Sequence, residues 1–210
     1  MPIPLDFVVS ALVTLFVVVD PVGLAPAYLA ITQGLASDRR RKIAVRASIL
    51  AAAILIGAAL VGQWLLTTLG ISLPAFRIAG GLLLFSIASE MVFGVRIARQ
   101  SRQAEQALED QAHDIAAFPL AIPLLAGPGA ITATVLLAGQ TVNQPLMLVG
   151  LIGVIVVVAA ACLVTFLLAD KMGNLLGRTG NIVLERLLGV LLAALAVQFV
   201  IDGVRTIMAA

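Results

Sequence analysis

Six apolar stretches, at about residues 5–34, 43–69, 75–95, 114–140, 146–169 and 182–204, take up most of this 210-residue chain. Each is long enough for a helix to cross a hydrocarbon core of about 30 Å, which needs roughly 20 residues. The runs 47–69, 115–141 and 146–169 contain no charged residue. The first stretch carries Asp20 and the third Glu90, while the sixth has Glu185-Arg186 at its start and Asp202 near its end. Charged residues are 11% of the chain, against about 25% in soluble domains. Mean hydropathy is +1.14. Almost nothing remains for a soluble domain, so the sequence predicts an all-α protein that crosses the membrane six times.

The N-terminus, Met1-Pro2-Ile3-Pro4-Leu5-Asp6, lacks the positive region of a cleavable signal peptide. The first stretch is therefore expected to stay as a helix. The single Cys162 has no internal partner and reads as a small packing residue. No second His or Cys accompanies His113 as a metal ligand, and no metal or cofactor is expected.

Charge placement sets the expected topology. Arg39, Arg40, Arg41, Lys42 and Arg46 lie between or beside stretches one and two, Arg96, Arg99 and Arg102 between three and four, and Lys171, Arg178 and Arg186 between or beside five and six. Eleven of the thirteen basic residues thus share one side, leaving Arg77 and Arg205 on the other. The positive-inside rule puts the arginine-rich loops in the cytoplasm and both termini outside. The same placement accounts for the pI of 9.2 without a nucleic-acid partner. The polar stretch 96–113 reads as a cytoplasmic linker between halves 1–95 and 114–210.

Two of the stretches are interrupted by helix breakers. Asp20-Pro21-Val22-Gly23-Leu24-Ala25-Pro26 lies in the first, and Ala126-Gly127-Pro128-Gly129-Ala130-Ile131-Thr132 in the fourth. Backbone freed by Pro and Gly is tolerated in a bilayer only where protein or a polar cavity covers it. Matched breaks in two halves are the best sequence pointer to a transporter's binding site. Pro21 and Pro128 are 107 residues apart, and Arg77 and Arg186 are 109 apart. RIAGGLL at 77–83 resembles RLLGVLL at 186–192. Three spans per half is an odd number, so the repeats are expected to be inverted, with stretches one and four broken near the midplane. Their second halves, from about Ala27 and Ala130, would aim helix N-termini at one another. Such termini carry free N–H groups and partial positive charge suited to a carboxylate.

The candidate substrate-binding residues are Asp20, Pro21, Gly23, Pro26, Gly127, Pro128, Gly129, Thr132 and Thr134. An ionisable group in mid-bilayer such as Asp20 marks a functional site by default, to hold an ammonium or accept a coupling proton. It can also cap the freed N–H groups. Thr132 is expected to line the site, and Thr134 to back-bond to a helix carbonyl. Asp20, Glu90, Arg77 and Gln198 are candidates for ion coupling or gating. Glu90 needs a partner or a water path, Arg77 can snorkel to the interface, and Gln198 would serve as helix–helix glue or line a cavity. Pro119 and Pro123 predict an irregular start to the fourth stretch, and Gly80 and Gly189 close helix packing.

VVVDPVGLAPAYLAIT, FRIAGGLLL, FPLAIPLLAGPGAIT and AVQFVIDG are also the stretches by which the chain resembles the MarC family of bacterial inner-membrane proteins. The resemblance covers essentially the whole length. It implies a multi-pass protein of the bacterial plasma membrane and a transporter of small neutral amino acids such as glycine and alanine. Family members often have Asn where this chain has Leu24.

Together these readings predict a secondary transporter of small neutral amino acids driven by a proton or sodium gradient. No Walker motif is present to use ATP. The alternative is a passive channel for small neutral solutes, because opposed half-helix N-termini also serve in pores. An aspartyl protease would need a second carboxylate at the depth of Asp20, so no enzyme is expected. Homo-oligomerisation is left open by the sequence.

Overall fold

A computed structural model of the chain describes residues 4–96, 99, 102, 115–142 and 144–209, and for 172–179 the backbone alone. His113 and most of the predicted linker lie outside the described residues. All regular elements among the described residues are helical. They are α1 (Leu5–Val19), α2 (Ala25–Ile31), α3 (Ser37–Thr68), α4 (Leu73–Phe93), α5 (Pro128–Gly139), α6 (Pro145–Leu167) and α7 (Ala169–Met208), with an irregular coil at Ala116–Leu125 before α5.

Among the described residues, four helices are long and apolar enough to cross a membrane: α3, α4, α6 and the Gly180–Met208 part of α7. The Ala116–Leu125 coil and α5 qualify together as a fifth, bent by 59°. α1 has 15 residues, about 22 Å at 1.5 Å per residue. It is short of a full crossing by itself and is continued beyond the first break by α2. Large apolar side chains face outward along these helices, among them Leu60, Trp64, Val149, Val157, Leu187 and Val190. On a soluble protein such a surface would be an aggregation liability; in a bilayer it is the lipid-facing side.

The core is built from close helix pairs. α4 and α7 form the most extensive pair and run antiparallel. A β-carbon on Gly81 would fall 2.7 Å from the Ala196 carbonyl, one on Gly189 2.8 Å from Met91 Cβ, and one on Gly203 2.7 Å from Ile78 Cγ1. Without solvent to drive helices together, small residues that let backbones approach supply the association. α3 packs on α5 and α6, and α1 packs on α5, α6 and α7.

Arg40, at the start of α3, pairs with Asp170 at the start of α7 at 3.1 Å, joining two of the arginine-bearing connections at one end. Arg40 also lies over the Tyr28 ring, 5.8 Å from its centroid. Tyr28 stacks on Phe166 at 4.6 Å and donates its hydroxyl to the Arg40 carbonyl.

Two local features depart from the sequence reading. The region around 170–181, read as a loop, belongs to α7, which begins directly after Leu168. Each glycine there weakens a helix by only about 1 kcal/mol, and the backbone continues through all of them. Gln198, expected against another helix or a cavity, is exposed and donates to Asp202 Oδ1 one turn on at 2.8 Å.

Candidate functional site

The first break is a tight, self-capped turn. Asp20 ends α1 with φ 54°, a left-handed conformation, and its N–H donates to the Phe16 carbonyl. Aspartate tolerates this region better than most residues because its short polar side chain bonds locally. The Gly23 N–H donates to Asp20 Oδ1 at 3.1 Å, the Leu24 N–H to the Asp20 carbonyl, and the Ala25 N–H to the Val22 carbonyl. Pro26 has no N–H to satisfy. The carboxylate is 2% exposed, and Gly23 leaves no room for a β-carbon beside it. Asp20 thus fills the capping role that its sequence context allows, and α2 begins at Ala25, two residues before the expected position.

The second break is built differently. Phe118 and Ile122 precede cis-prolines 119 and 123 and are extended, with φ −134° and −124°. A residue before proline is driven out of the helical region by the ring, so the coil is irregular, as Pro119 and Pro123 predict. α5 starts at Pro128 with Gly127 as its N-cap, and no side chain caps it. The Ile131 N–H reaches the Gly127 carbonyl. The N–H groups of Gly129 and Ala130 come before the first intrahelical bond, and so belong to the unsatisfied start of a helix. Gly127 has φ −77°, so its lack of a side chain serves space, not a left-handed turn. A β-carbon there would lie 2.5 Å from the Pro123 carbonyl.

The fold brings the two breaks together. A β-carbon on Gly129 would lie 3.4 Å from Val18, two residues before Asp20, and 2.5 Å from Ile87 of α4. Around this meeting point is a cavity of about 190 Å³. It is lined by Val18 and Ile87, by Pro123 to Leu125 and Gly127 to Ala130, and by Arg96 and Arg99. Gly129 faces Ile87, Thr132 faces Gly80 and Gly139 faces Leu73, so the cavity lies past the middle of α4, toward its Arg96 end.

The charge pattern of the sequence places both arginines in a loop. Gly94 ends α4 with φ 73° and turns the chain, and Arg96 follows as a side chain only 5% exposed. Its Nη2 donates to the Val18 carbonyl at 3.2 Å and its Nη1 to Met91 Sδ at 3.0 Å. Val18 is in the last turn of α1, where carbonyls lack helical partners. Asp20, Glu185 and Glu90 act on Arg96 electrostatically, and Glu185 is itself 3% exposed. Among the described residues, none of these carboxylates makes an ion pair with Arg96. Arg99 is paired, with Glu90 Oε1 at 2.8 Å, which supplies the partner that Glu90 was expected to need. The other Glu90 oxygen is buried without one.

The remaining predicted residues are spread around this centre. Pro21 and Gly23 are buried in the first turn, whereas Pro26 is exposed. Thr134 Oγ1 donates to the Ala130 carbonyl at 2.7 Å, the back-bond expected of it. Thr132 is 7% exposed and turns its methyl group to Gly80. Arg77 is on α4 between Phe76 and Ile78, near the other end of that helix, with a buried Nε that has no hydrogen-bond partner among the described residues. Of the predicted residues, Gly127, Pro128 and Gly129 line the cavity, whereas Asp20, Pro21, Gly23, Pro26, Thr132, Thr134, Glu90, Arg77 and Gln198 do not.

A helical chain with several helices long and apolar enough to span a membrane, outward-facing apolar side chains and two broken segments is an integral, multi-pass membrane protein. The chain belongs to the MarC family of integral membrane proteins, whose profile matches residues 5–208. It is similar to a UPF0056 membrane protein of Methanocaldococcus jannaschii, 35% identical over 96% of this chain and 97% of that one. A UPF0056 membrane protein of Archaeoglobus fulgidus is 36% identical over 95% of this chain and 92% of its own. The UPF0056 membrane protein YhcE of Escherichia coli is 34% identical over 92% and 89%. No solved structure matches the chain.

Proposed function

We propose that this protein is a secondary transporter of small neutral amino acids, of glycine or alanine size, working by alternating access around the cavity between the two breaks. The observation that carries this reading is the approach of the last turn of α1, just before the first break, to the second break, with a partly open space of about 190 Å³ beside them. A break in a membrane helix leaves backbone groups that protein or a polar cavity must cover, and paired breaks are how transporters build a midplane site. The open N-terminus of α5 suits a substrate carboxylate. The negative potential of Asp20, two residues beyond Val18 of the cavity lining, suits its ammonium.

The six spans are read as two inverted three-helix repeats, α1–α4 and the 116–125 coil with α5–α7. The packing supports this reading, because elements meet their counterparts: α4 packs on α7, α3 on α6, and α1 on α5. An axis in the membrane plane is compatible with that pattern, and the antiparallel α4–α7 pair fits it. Both termini are assigned to the non-cytoplasmic side of a bacterial plasma membrane by the positive-inside rule, and the Arg40–Asp170 pair supports placing those two connections on one face. Coupling to a proton or sodium ion is assigned to Asp20, with the Glu90–Arg99 pair as a gate at the cavity wall.

Thermal-shift screening of the detergent-purified protein against the twenty amino acids tests the substrate class. A ligand at about 100 times its Kd stabilises the folded state by about 2.7 kcal/mol. Glycine and alanine should raise the melting temperature and large side chains should not. A response to large or charged amino acids alone would refute the assignment.

A further inference from the structure

We infer that Arg96 is the specificity-determining residue of the cavity, the cation that receives a carboxylate. This rests on the reading of the cavity as the substrate site. Three independent observations meet here. Arg96 is 5% exposed and lines the cavity. Its hydrogen bonds go to two neutral acceptors, the Val18 carbonyl and Met91 Sδ, and among the described residues no carboxylate pairs with it. The uncapped start of α5, with the N–H groups of Gly129 and Ala130, lines the same cavity.

A buried charge is costly unless it is paired, and a guanidinium offers five donors in a planar fork that matches a carboxylate. Arg96 has used two of its donors, one of them on a weakly accepting sulfur. Asp20, Glu185 and Glu90 act on Arg96 without pairing with it; a carboxylate in the cavity would supply the direct partner and lie between the fork and the helix start, whose partial charge has the same sign. The first break offers no equivalent, because its Gly23, Leu24 and Ala25 N–H groups already go to Asp20 Oδ1, the Asp20 carbonyl and the Val22 carbonyl. The two breaks are therefore unequal: one is closed by its own carboxylate, and the other is left open for a carboxylate from outside the chain. Arg96 also caps the carbonyl end of α1, so the decisive measurement must separate recognition from folding.

The test uses full-length protein in nanodiscs and three probes on one carbon skeleton, with binding followed by calorimetry. Alanine has both charged groups, lactate has the carboxylate without the ammonium, and alaninamide has the ammonium without the carboxylate. Wild type should bind alanine and lactate, and bind alaninamide more weakly by about tenfold or more. Arg96→Gln should weaken alanine and lactate alike by roughly ten- to a hundredfold, the span of hydrogen bonds to charged groups. Arg96→Lys should keep the preference for carboxylate over amide at lower affinity, since the point charge remains and the fork is lost. The exposed Arg102 provides the control, and Arg102→Gln should bind as wild type does.

Unchanged alanine and lactate affinity in a folded Arg96→Gln variant overturns the inference and leaves the amino acid reading standing. Lactate binding without alanine binding does the reverse. Absence of binding by all three probes overturns both. Should Arg96→Gln fail to fold, butanedione modification of wild type decides, read by peptide mass spectrometry. Lactate should slow modification of Arg96 and leave Arg40 unaffected; equal rates at Arg96 with and without lactate overturn the inference.

Discussion

Replacing Asp20 separates three effects that the first break combines. The carboxylate accepts the Gly23 N–H in a buried site, and a hydrogen bond to a charged group contributes about 1.5–3 kcal/mol. The residue also sits at φ 54°, where a residue with a β-carbon and no local side-chain bond costs about 1–2 kcal/mol. Asp20→Ala loses both contributions and should destabilise the fold by about 2.5–5 kcal/mol. Asp20→Gly loses the cap without the left-handed strain, and should lie about 1 kcal/mol above the alanine variant. Asp20→Asn keeps an acceptor in a tolerated conformation, and removing a buried charge offsets part of what is lost, so it should fall within about 1 kcal/mol of wild type. Unfolding by SDS in mixed micelles, followed by circular dichroism, gives the order: wild type and Asn, then Gly, then Ala. Alanine as stable as asparagine would refute the capping argument, and glycine no better than alanine would refute the strain argument. Because the Asn variant stays folded, it also tests coupling: its transport should be abolished or lose its dependence on pH and sodium.

Gly127→Val and Gly129→Val should each weaken amino acid binding by about tenfold or more, because their β-carbons meet the Pro123 carbonyl and Ile87. Gly153→Val, in open space on α6, should leave binding unchanged in the same calorimetric assay. Gly81→Val crowds the Ala196 carbonyl and Val200 and should cost about 1–3 kcal/mol of stability, measured by SDS unfolding. Single-cysteine labelling with an impermeant reagent should reach Gln144 from outside and Ser37 only from the cytoplasm; the opposite pattern would invert the topology.

The sequence conveyed the helices that depend on local pattern and less of what depends on distant parts of the chain. The runs 47–69 and 146–169 are simply too apolar to be anything but spans, and they appear within α3 and α6–α7. Both breaks lie where Pro and Gly cluster, within two residues of the expected helix starts, because those residues act through their own backbone. The back-bond of Thr134 is equally local. Arg96 was not legible as a cavity residue. In sequence it is one of three arginines after a helix, the usual mark of a cytoplasmic loop. Its burial depends on the left-handed turn at Gly94 and on a carbonyl 78 residues away. Gln198 misled in the opposite direction, since a polar residue in an apolar run suggests a buried partner, yet Asp202 one turn along the same helix satisfies it. The glycines near the start of α7 read as a loop because propensity alone does not report that the helix runs through them.

The central claim, a carrier whose site is the cavity between two broken helices, is tested most directly by counterflow. Purified protein is reconstituted into proteoliposomes loaded with unlabelled alanine and diluted into a trace of labelled alanine. A carrier that alternates access should accumulate label transiently above its equilibrium level, saturate with external alanine, and lose both properties in Gly129→Val. Flux that rises linearly with concentration, without an overshoot and equally in both proteins, would contradict the account and make the protein a pore.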